Sequence, residues 1–436
     1  MFQDRREAFM KAMGTGVAIL PAAPIRHRTA DQDHVYRQDS DFYYLTGFTE
    51  PEAVLVLAPH HPEHRVILFV RPRDPERETW DGRRAGVEGA VAKFGADVAY
   101  RIDELDAVLP RYLDGQERLY YRLGRFDSFD DRVIGWMASY RTKARSGATG
   151  PTTLVDPAAI LHERRLFKSP AEVALMRRAA TIAAEAHVAA MQATRPGMRE
   201  YEIEALIEYT FRRRGAMGPS YGSIVGGGEN GCILHYQENE SELKDGDLLL
   251  IDAGAEFDFY ASDITRTFPV NGRFSKPQRE LYDLVLEAQK AAVETVRPGK
   301  TFMEVHEAAL RVLVTGLVRL GLLSGEVDDL IAREAYKPYY MHKTSHWLGI
   351  DVHDVGAYKI DGQWRTLEPG MVLTVEPGLY VTPGTPGAPE AYWNIGIRIE
   401  DDVLVTPEGH EVLTKDVPKE ADEIERLMAG SLAGAR

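Results

Sequence analysis

Residues 247–269 read DLLLIDAGAEFDFYASDITRTFP, in which two apolar runs are flanked by acidic residues around a short polar segment. Runs of this kind predict two β-strands joined by a tight turn, here near Phe257 and Asp258. A turn at that point makes Asp252 and Asp263 cross-strand partners, with Cβ atoms about 4.5–5.5 Å apart. Two like charges so close destabilise a sheet unless a cation lies between them, so the hairpin predicts a metal site.

Two later segments, GMVLTVE and NIGIRIE, repeat this pattern because each ends an apolar strand in a glutamate, Glu376 and Glu400 respectively. Side chains alternate between the faces of a strand, which places Gly396, Arg398 and Glu400 on one face. Arg398 can there orient a carboxylate, and Gly396 leaves room beside it. A single acid at a strand end is usually structural, but four acids in this pattern indicate a site.

Three histidines lie between these pairs of segments, His342, His346 and His353, and we expect one of them to join the carboxylates. Four carboxylates and one imidazole suit Mn²⁺ and are compatible with Co²⁺ or Zn²⁺, unlike the thiolate sites of structural zinc. The four negative charges balance two divalent ions. Two ions about 3.5–4 Å apart can bridge a water, lower its pKa and polarise a carbonyl, which is what amide hydrolysis requires.

The composition, 44% hydrophobic and 27% charged over 436 residues, is typical of a folded enzyme. The formal net charge of -15 argues against a surface that binds nucleic acid. The single cysteine, Cys232, favours a reducing compartment, and the N-terminal sequence lacks the continuous apolar stretch of a signal peptide. The apolar runs are shorter than the about 20 residues that cross a bilayer. We therefore expect a cytoplasmic protein without nucleic-acid or membrane partners.

The length predicts more than one domain. The apolar, β-branched runs at 54–57 and 66–70 indicate strands of a first, α/β domain. At 169–172 the sequence SPAE supplies a helix N-cap, a first-turn proline and a capping-box glutamate, so a long helix begins there. We place the domain boundary just before this helix, which gives domains of residues 1–165 and 166–436.

Four segments together resemble the pita-bread metallopeptidases, and within them the Xaa-Pro aminopeptidase (aminopeptidase P) branch. These segments are IDAGAEFDFYASDITRTFPV, SHWLGIDVHDVG, LTVEPGLY and NIGIRIEDD. Upstream, DSDFYYLTGF at 39–48 is similar to the N-terminal domain of that branch. The resemblance implies an α/β N-terminal domain followed by an α+β pita-bread catalytic domain of the creatinase/aminopeptidase type.

The resemblance also assigns roles to individual residues. It implies that the ligands of a dinuclear metal centre are Asp252, Asp263, His346, Glu376 and Glu400. It implies that the catalytic residues are Glu376, His353 and His235, with His353 stabilising the tetrahedral intermediate. It implies that the substrate-binding residues are His342, Arg398 and Trp80, with Trp80 packing toward the active site of a neighbouring subunit.

The implied activity is removal of the N-terminal residue from peptides that carry proline in the second position. In this mechanism Glu376 accepts a proton from the attacking water and passes it toward the proline nitrogen, while the substrate amino terminus lies near Asp252. We expect two Mn²⁺ ions per subunit, with Co²⁺ or Zn²⁺ as alternatives, and a homo-oligomer, either a dimer or a tetramer. Two other functions stay open: a prolidase restricted to Xaa-Pro dipeptides, and a non-catalytic pita-bread module that binds peptides.

Overall fold

The computed structural model describes residues 1–433, and the chain divides into two compact units, Met1–Glu163 and Arg164 onward. The predicted boundary after residue 165 falls inside the helix Ala158–Leu166. Within residues 1–433, none of the helices combines the length and the apolar character that a membrane span needs.

The first unit is built on a mixed sheet of six strands. The strands are β1 (Val17–Pro21), β2 (Val54–Leu57), β3 (Val66–Val70), β4 (Val98–Arg101), β5 (Arg118–Tyr120) and β6 (Thr153–Val155). The helices are α1 (Phe2–Met13), α2 (Ser40–Thr46), α3 (Pro75–Asp81), α4 (Gly86–Phe94), α5 (Leu105–Val108), α6 (Pro110–Leu113) and α7 (Asp127–Thr142), and α8 (Ala158–Leu166) begins in this unit and ends three residues after it. The sheet order is β4-β3-β2-β1-β5-β6. The strands predicted at 54–57 and 66–70 are confirmed as the adjacent pair β2 and β3.

The second unit, as far as residue 433, packs six helices around several small sheets. The helices are α9 (Pro170–Ala193), α10 (Glu200–Arg213), α11 (Lys276–Thr295), α12 (Phe302–Arg319), α13 (Val327–Ala332) and α14 (Ala421–Ala433). Its first strands are β7 (Gly218–Pro219), β8 (Ile224–Gly227), β9 (Leu248–Asp252), β10 (Ala255–Phe257), β11 (Tyr260–Ala261) and β12 (Thr265–Pro269). Its later strands are β13 (Lys359–Ile360), β14 (Gln363–Trp364), β15 (Val372–Val375), β16 (Gly378–Val381), β17 (Ile395–Arg398), β18 (Asp401–Thr406) and β19 (Gly409–Val412).

The long helix predicted at residue 170 is confirmed, because Ser169 caps α9 and forms a capping box with Glu172. This helix lies in one large apolar core with α11, α12 and the strands β9, β15 and β17. The inward side chains of these strands, such as Ile251, Val375 and Ile397, are completely buried. Burial of one face of each strand fixes which residues face the opposite way, toward the functional site.

The predicted register of the first hairpin is wrong by two positions. The turn lies at Asp258 and Phe259, both in the left-handed region with φ of 48° and 70°, and Asp252 pairs with Thr265. Asp263 therefore lies diagonally from Asp252 instead of directly opposite. Because the side-chain period of a strand is two, a shift of two positions leaves both carboxylates on the same face.

Candidate active site

Each of the four predicted acids lies at the end of a strand. Asp252 is the last residue of β9, and Asp263 lies two residues before β12. Glu376 follows β15 directly, and Glu400 lies just before β18. In the antiparallel pair of β15 and β18, Val375 lies opposite Asp401. Because Val375 precedes Glu376 and Asp401 follows Glu400, both glutamates lie at the same end of this strand pair.

His346 is held rigidly among these acids. Its backbone N–H donates to Thr374 Oγ1 at 3.1 Å, and its carbonyl accepts from Thr374 N at 3.0 Å. Its Nδ1–H donates to the Trp347 carbonyl at 3.0 Å, which leaves Nε2 free to face the site. Nε2 lies 3.3 Å from Asp263 Oδ2 and 3.7 Å from Glu376 Oε1.

Three of the predicted ligands form a compact donor cluster, since one donor atom each from Asp263, His346 and Glu400 lies within 4.8 Å of the others. The other two acids border this cluster. Tyr221 OH lies 2.5 Å from Asp263 Oδ1 and 2.6 Å from Asp252 Oδ1, while Glu376 approaches His346 as described. All five residues line one cavity of about 530 Å³.

The electrostatics of the cavity favour a cation. Burial raises the pKa of Glu376 to about 7 and that of Glu400 well above its ordinary value, and the neighbouring carboxylates add to both shifts. Burial lowers the pKa of His346, but its hydrogen bond with Asp263 and the charge of Glu376 outweigh this and raise the pKa to about 9. Protons thus compensate the crowded negative charge here, and divalent ions can compensate it in their place. The donor set, rich in oxygen with one imidazole, fits such ions.

Arg398 supplies a fixed positive charge to this site. Its guanidinium donates to Asp252 Oδ2 at 2.6 Å, to Thr265 Oγ1 at 3.1 Å and to Tyr380 OH at 2.9 Å. The expected contact between Arg398 and a carboxylate is therefore present.

The space left by Gly396, in contrast, is not open to a ligand. A Cβ at Gly396 would lie 2.1 Å from the carbonyl oxygen of Gly231, so the missing side chain admits the backbone of the 3-10 segment Gly228–Cys232.

The three supporting histidines line the same cavity. Tyr380 OH accepts from Arg398 and donates to His342 Nε2 at 2.9 Å, and His342 Nδ1–H donates to the Lys343 carbonyl at 2.8 Å. Burial lowers the pKa of His342 to about 3, which agrees with a neutral imidazole in this relay. His353 packs edge-on against His346, with ring centroids 4.5 Å apart, and His235 is exposed.

Trp80 is not among the residues that line this cavity. It lies in α3 of the first unit, with 81% of its surface exposed. An indole this exposed in the single chain is available for contact with another molecule. The role predicted for Trp80, contact with a neighbouring subunit's site, stays a prediction.

Sequence reasoning missed two side chains that hold the acids in place. Tyr221 contacts Asp252 and Asp263, and Thr265 Oγ1–H donates to Glu400 Oε2 at 2.6 Å. Tyr221 comes from the loop before β8, 31 residues from Asp252 along the chain, and has no local pattern that separates it from a packed aromatic residue. Side-chain alternation could have predicted Thr265, because it lies on the same strand face as both aspartates.

Known proteins resemble the whole chain. The family profile described as Metallopeptidase family M24 matches residues 174–407, and that described as Aminopeptidase P, N-terminal domain, matches residues 2–120. The chain is 51% identical to Xaa-Pro aminopeptidase of Escherichia coli, over 99% of this chain and 98% of the relative.

Solved structures confirm the predicted fold class. An aminopeptidase of Pseudomonas aeruginosa superposes with a TM-score of 0.98 at 55% identity, covering 99% of this chain and 98% of that one. A zinc-substituted aminopeptidase P of Escherichia coli in complex with product superposes with a TM-score of 0.96 at 51% identity, with the same coverage. The chain therefore belongs to metallopeptidase family M24, in the branch that carries the aminopeptidase P N-terminal domain.

Proposed function

We propose that this chain is a metal-dependent exopeptidase that releases the N-terminal residue from peptides with proline in the second position. The observation that carries the proposal is the convergence of four carboxylates and His346 in one cavity of a chain 51% identical to an Xaa-Pro aminopeptidase. A module that only binds peptides has no need of metal ligands, and each of the five positions that the resemblance implies as a ligand carries a carboxylate or an imidazole facing this cavity.

The proposed cofactor is a pair of divalent ions, Mn²⁺ in the first place, with Co²⁺ or Zn²⁺ as alternatives. Asp252 and Asp263 would hold one side of the pair, His346 would bind one ion, and the two glutamates would complete the set. When bound, such ions supply a Lewis acid for the scissile carbonyl and lower the pKa of a water toward neutrality.

Glu376 is proposed to transfer the proton. Its carboxylate lines the cavity with the other acids, with Oε1 3.7 Å from His346 Nε2, and a carboxylate held beside the reacting water can act as a general base. Glu376 would accept a proton from the attacking water and deliver it to the proline nitrogen, which must be protonated to leave. His353 and His235 would donate to the oxygen on which negative charge develops.

Recognition of the substrate amino terminus would make the enzyme an exopeptidase. A free ammonium near Asp252 fixes the distance from the chain end to the reacting carbonyl, so one residue is released per cycle. Arg398 holds Asp252 in place, and the Arg398–Tyr380–His342 relay orients His342 in the substrate cavity.

The test is to strip the protein with a chelator, reload it with Mn²⁺ and measure release of alanine from Ala-Pro, Ala-Pro-Ala and Ala-Ala-Ala. Metal-dependent cleavage of both proline peptides supports the proposal. Cleavage of Ala-Pro alone indicates a prolidase, equal cleavage of Ala-Ala-Ala removes the proline requirement, and no cleavage favours a peptide-binding module.

Replacing Glu376 with glutamine should preserve the fold and lower kcat by orders of magnitude, and near-normal turnover would refute its role.

We also propose that the enzyme acts as a cytoplasmic homo-oligomer in which Trp80 contacts the substrate site of a neighbouring subunit. The large exposed fraction of this indole and the chain's single cysteine support these proposals. Light scattering of the purified protein tests the assembly, and a fully active monomer would contradict it. Separation of the cytoplasm from membranes and the surrounding medium, with detection by antibody, tests the location.

A further inference from the structure

One side of the catalytic cavity carries two polar groups that the proposed mechanism does not use. Lys343 and Ser345 both line the cavity, one on each side of Thr344. The Lys343 side chain is exposed and forms no ion pair with any residue that the structure describes. Ser345 is 8% exposed, and its Oγ has no hydrogen-bond partner among those residues.

The backbone around these two residues is firmly anchored. The Lys343 carbonyl accepts from His342 Nδ1–H at 2.8 Å, at the end of the relay that starts at Arg398. Thr344 is completely buried, its Oγ1 lies 2.7 Å from Tyr340 OH, and its carbonyl accepts from Glu376 N at 2.8 Å. The segment therefore holds Thr344 toward the core and its two neighbours toward the cavity.

The charge of the cavity indicates what these groups bind. Two divalent ions would balance the four carboxylates, and Arg398 is already shared between Asp252, Thr265 and Tyr380. The Lys343 ammonium then has no counter-charge in the cavity. An unpaired ammonium and a buried hydroxyl without a hydrogen-bond partner, two residues apart in the lining of one cavity, are both donors that a carboxylate can use.

We propose that Lys343 and Ser345 form a subsite for a carboxylate on the peptide, located beyond the proline. The inference rests on the proposed exopeptidase function and adds a substrate preference to it. The substrate amino terminus is a cation that Lys343 would repel, and proline carries no charged side chain. The first carboxylate beyond the proline belongs to the third residue, either as the chain terminus of a tripeptide or as the side chain of an acidic residue.

Two matched pairs of peptides separate these sources. Ala-Pro-Ala and its C-terminal amide differ only in the terminal carboxylate, whereas Ala-Pro-Glu-amide and Ala-Pro-Gln-amide differ only in the side chain. We expect the wild-type enzyme to prefer the carboxylate by about five-fold in kcat/KM in at least one pair, as for a partly exposed ion pair. The pair that shows the preference identifies the source.

Substitution then tests the residues. K343Q should bring the preferred pair to nearly equal kcat/KM, and S345A should reduce the preference by about half, since it removes one neutral donor. K415A, at an exposed lysine of the same unit outside the cavity, should keep the wild-type preference. The effect of Lys343 should also weaken at high salt, because exposed charges are screened.

Failure of the subsite and failure of the proposed function give different results. Cleavage of all four peptides with no preference in either pair, or a preference that survives K343Q, overturns the subsite alone. No cleavage of any proline peptide by the Mn²⁺-loaded wild-type enzyme overturns the proposed function, and the subsite with it.

Discussion

Replacing Asp354 with asparagine should destabilise the second unit more than any surface substitution. Its carboxylate lies 2.5 Å from Arg165 Nη2 and 3.0 Å from Lys168 Nζ, and all three side chains are at most 2% exposed. The backbone N–H of Asp354 also donates to the Trp347 carbonyl at 2.9 Å, so both its backbone and its side chain anchor the segment next to His353. Asparagine would leave the buried Lys168 ammonium without a counter-charge, whereas Arg165 would keep its ion pair with Asp351.

The expected loss follows from this burial. Breaking a buried ion pair by removing one partner costs about 3–5 kcal/mol, because the remaining charge is uncompensated. In a unit of about this size each kcal/mol lowers Tm by roughly 2–4 °C, so D354N should melt about 10 °C below the wild type. Asp351 is the matched control. It also contacts Arg165, at 2.8 Å, but is 36% exposed, so D351N should lower Tm by no more than about 3 °C.

The difference should depend on pH with a defined sign. Burial would raise the pKa of Asp354, but the charges of Arg165 and Lys168 lower it below the ordinary value. A depressed pKa in the folded state stabilises the protein above the unfolded pKa of about 3.9, and this stabilisation is lost as pH falls through the folded value. Thermal unfolding followed by circular dichroism should show the full difference in Tm at pH 6–8 and a smaller one below pH 4. Equal Tm values for D354N and D351N at pH 7 would refute the reasoning.

Three further predictions concern the metal site. Tyr221→Phe removes the hydroxyl shared by Asp252 and Asp263 and should weaken Mn²⁺ binding by about 10–100-fold, and unchanged affinity in calorimetric titration of the metal-free protein would contradict this. Arg398→Lys loses the forked contacts to Asp252 and Tyr380 and should lower kcat/KM by about 10–100-fold in a peptide-release assay, whereas K415A should match the wild type. Removing the metal with a chelator should lower Tm by several degrees, and Mn²⁺ at 100 times its Kd should restore about 2.7 kcal/mol of stability. A Tm that does not respond to Mn²⁺ would argue against a metal centre.

The sequence predicts the strands and the acids at their ends because each strand is defined by neighbouring residues. The end of an apolar run is visible in the sequence, and side-chain alternation assigns the faces, as Arg398 and Glu400 illustrate. The predicted turn differs from the observed one because Asp258 and Phe259 adopt positive φ without the glycine or asparagine that usually marks such turns.

Contacts between segments that are distant along the chain have no local sequence pattern that could predict them. The chain separates Arg165 and Lys168 from Asp354 by 189 and 186 residues, so no periodic pattern connects them. A buried lysine or arginine is also predicted to be exposed when only the sequence is known, since these residue types are rarely buried unless paired. No local pattern marks Lys343 and Ser345 either, because their position in the cavity lining depends on how the surrounding segment folds.

The close approach of Gly396 to the Gly231 carbonyl predicts which substitutions a mutational scan of this protein would find tolerated. Any side chain at position 396 would push β17 away from the neighbouring backbone, and with it Arg398 and the segment that leads to Glu400. A screen of variants for peptide release would therefore exclude substitutions of Gly396 as strictly as those of the ligands, although Gly396 contributes no atom to the site. Scoring the same library for folded protein as well as for peptide release would separate residues that bind the ions from those that only keep the strand in place.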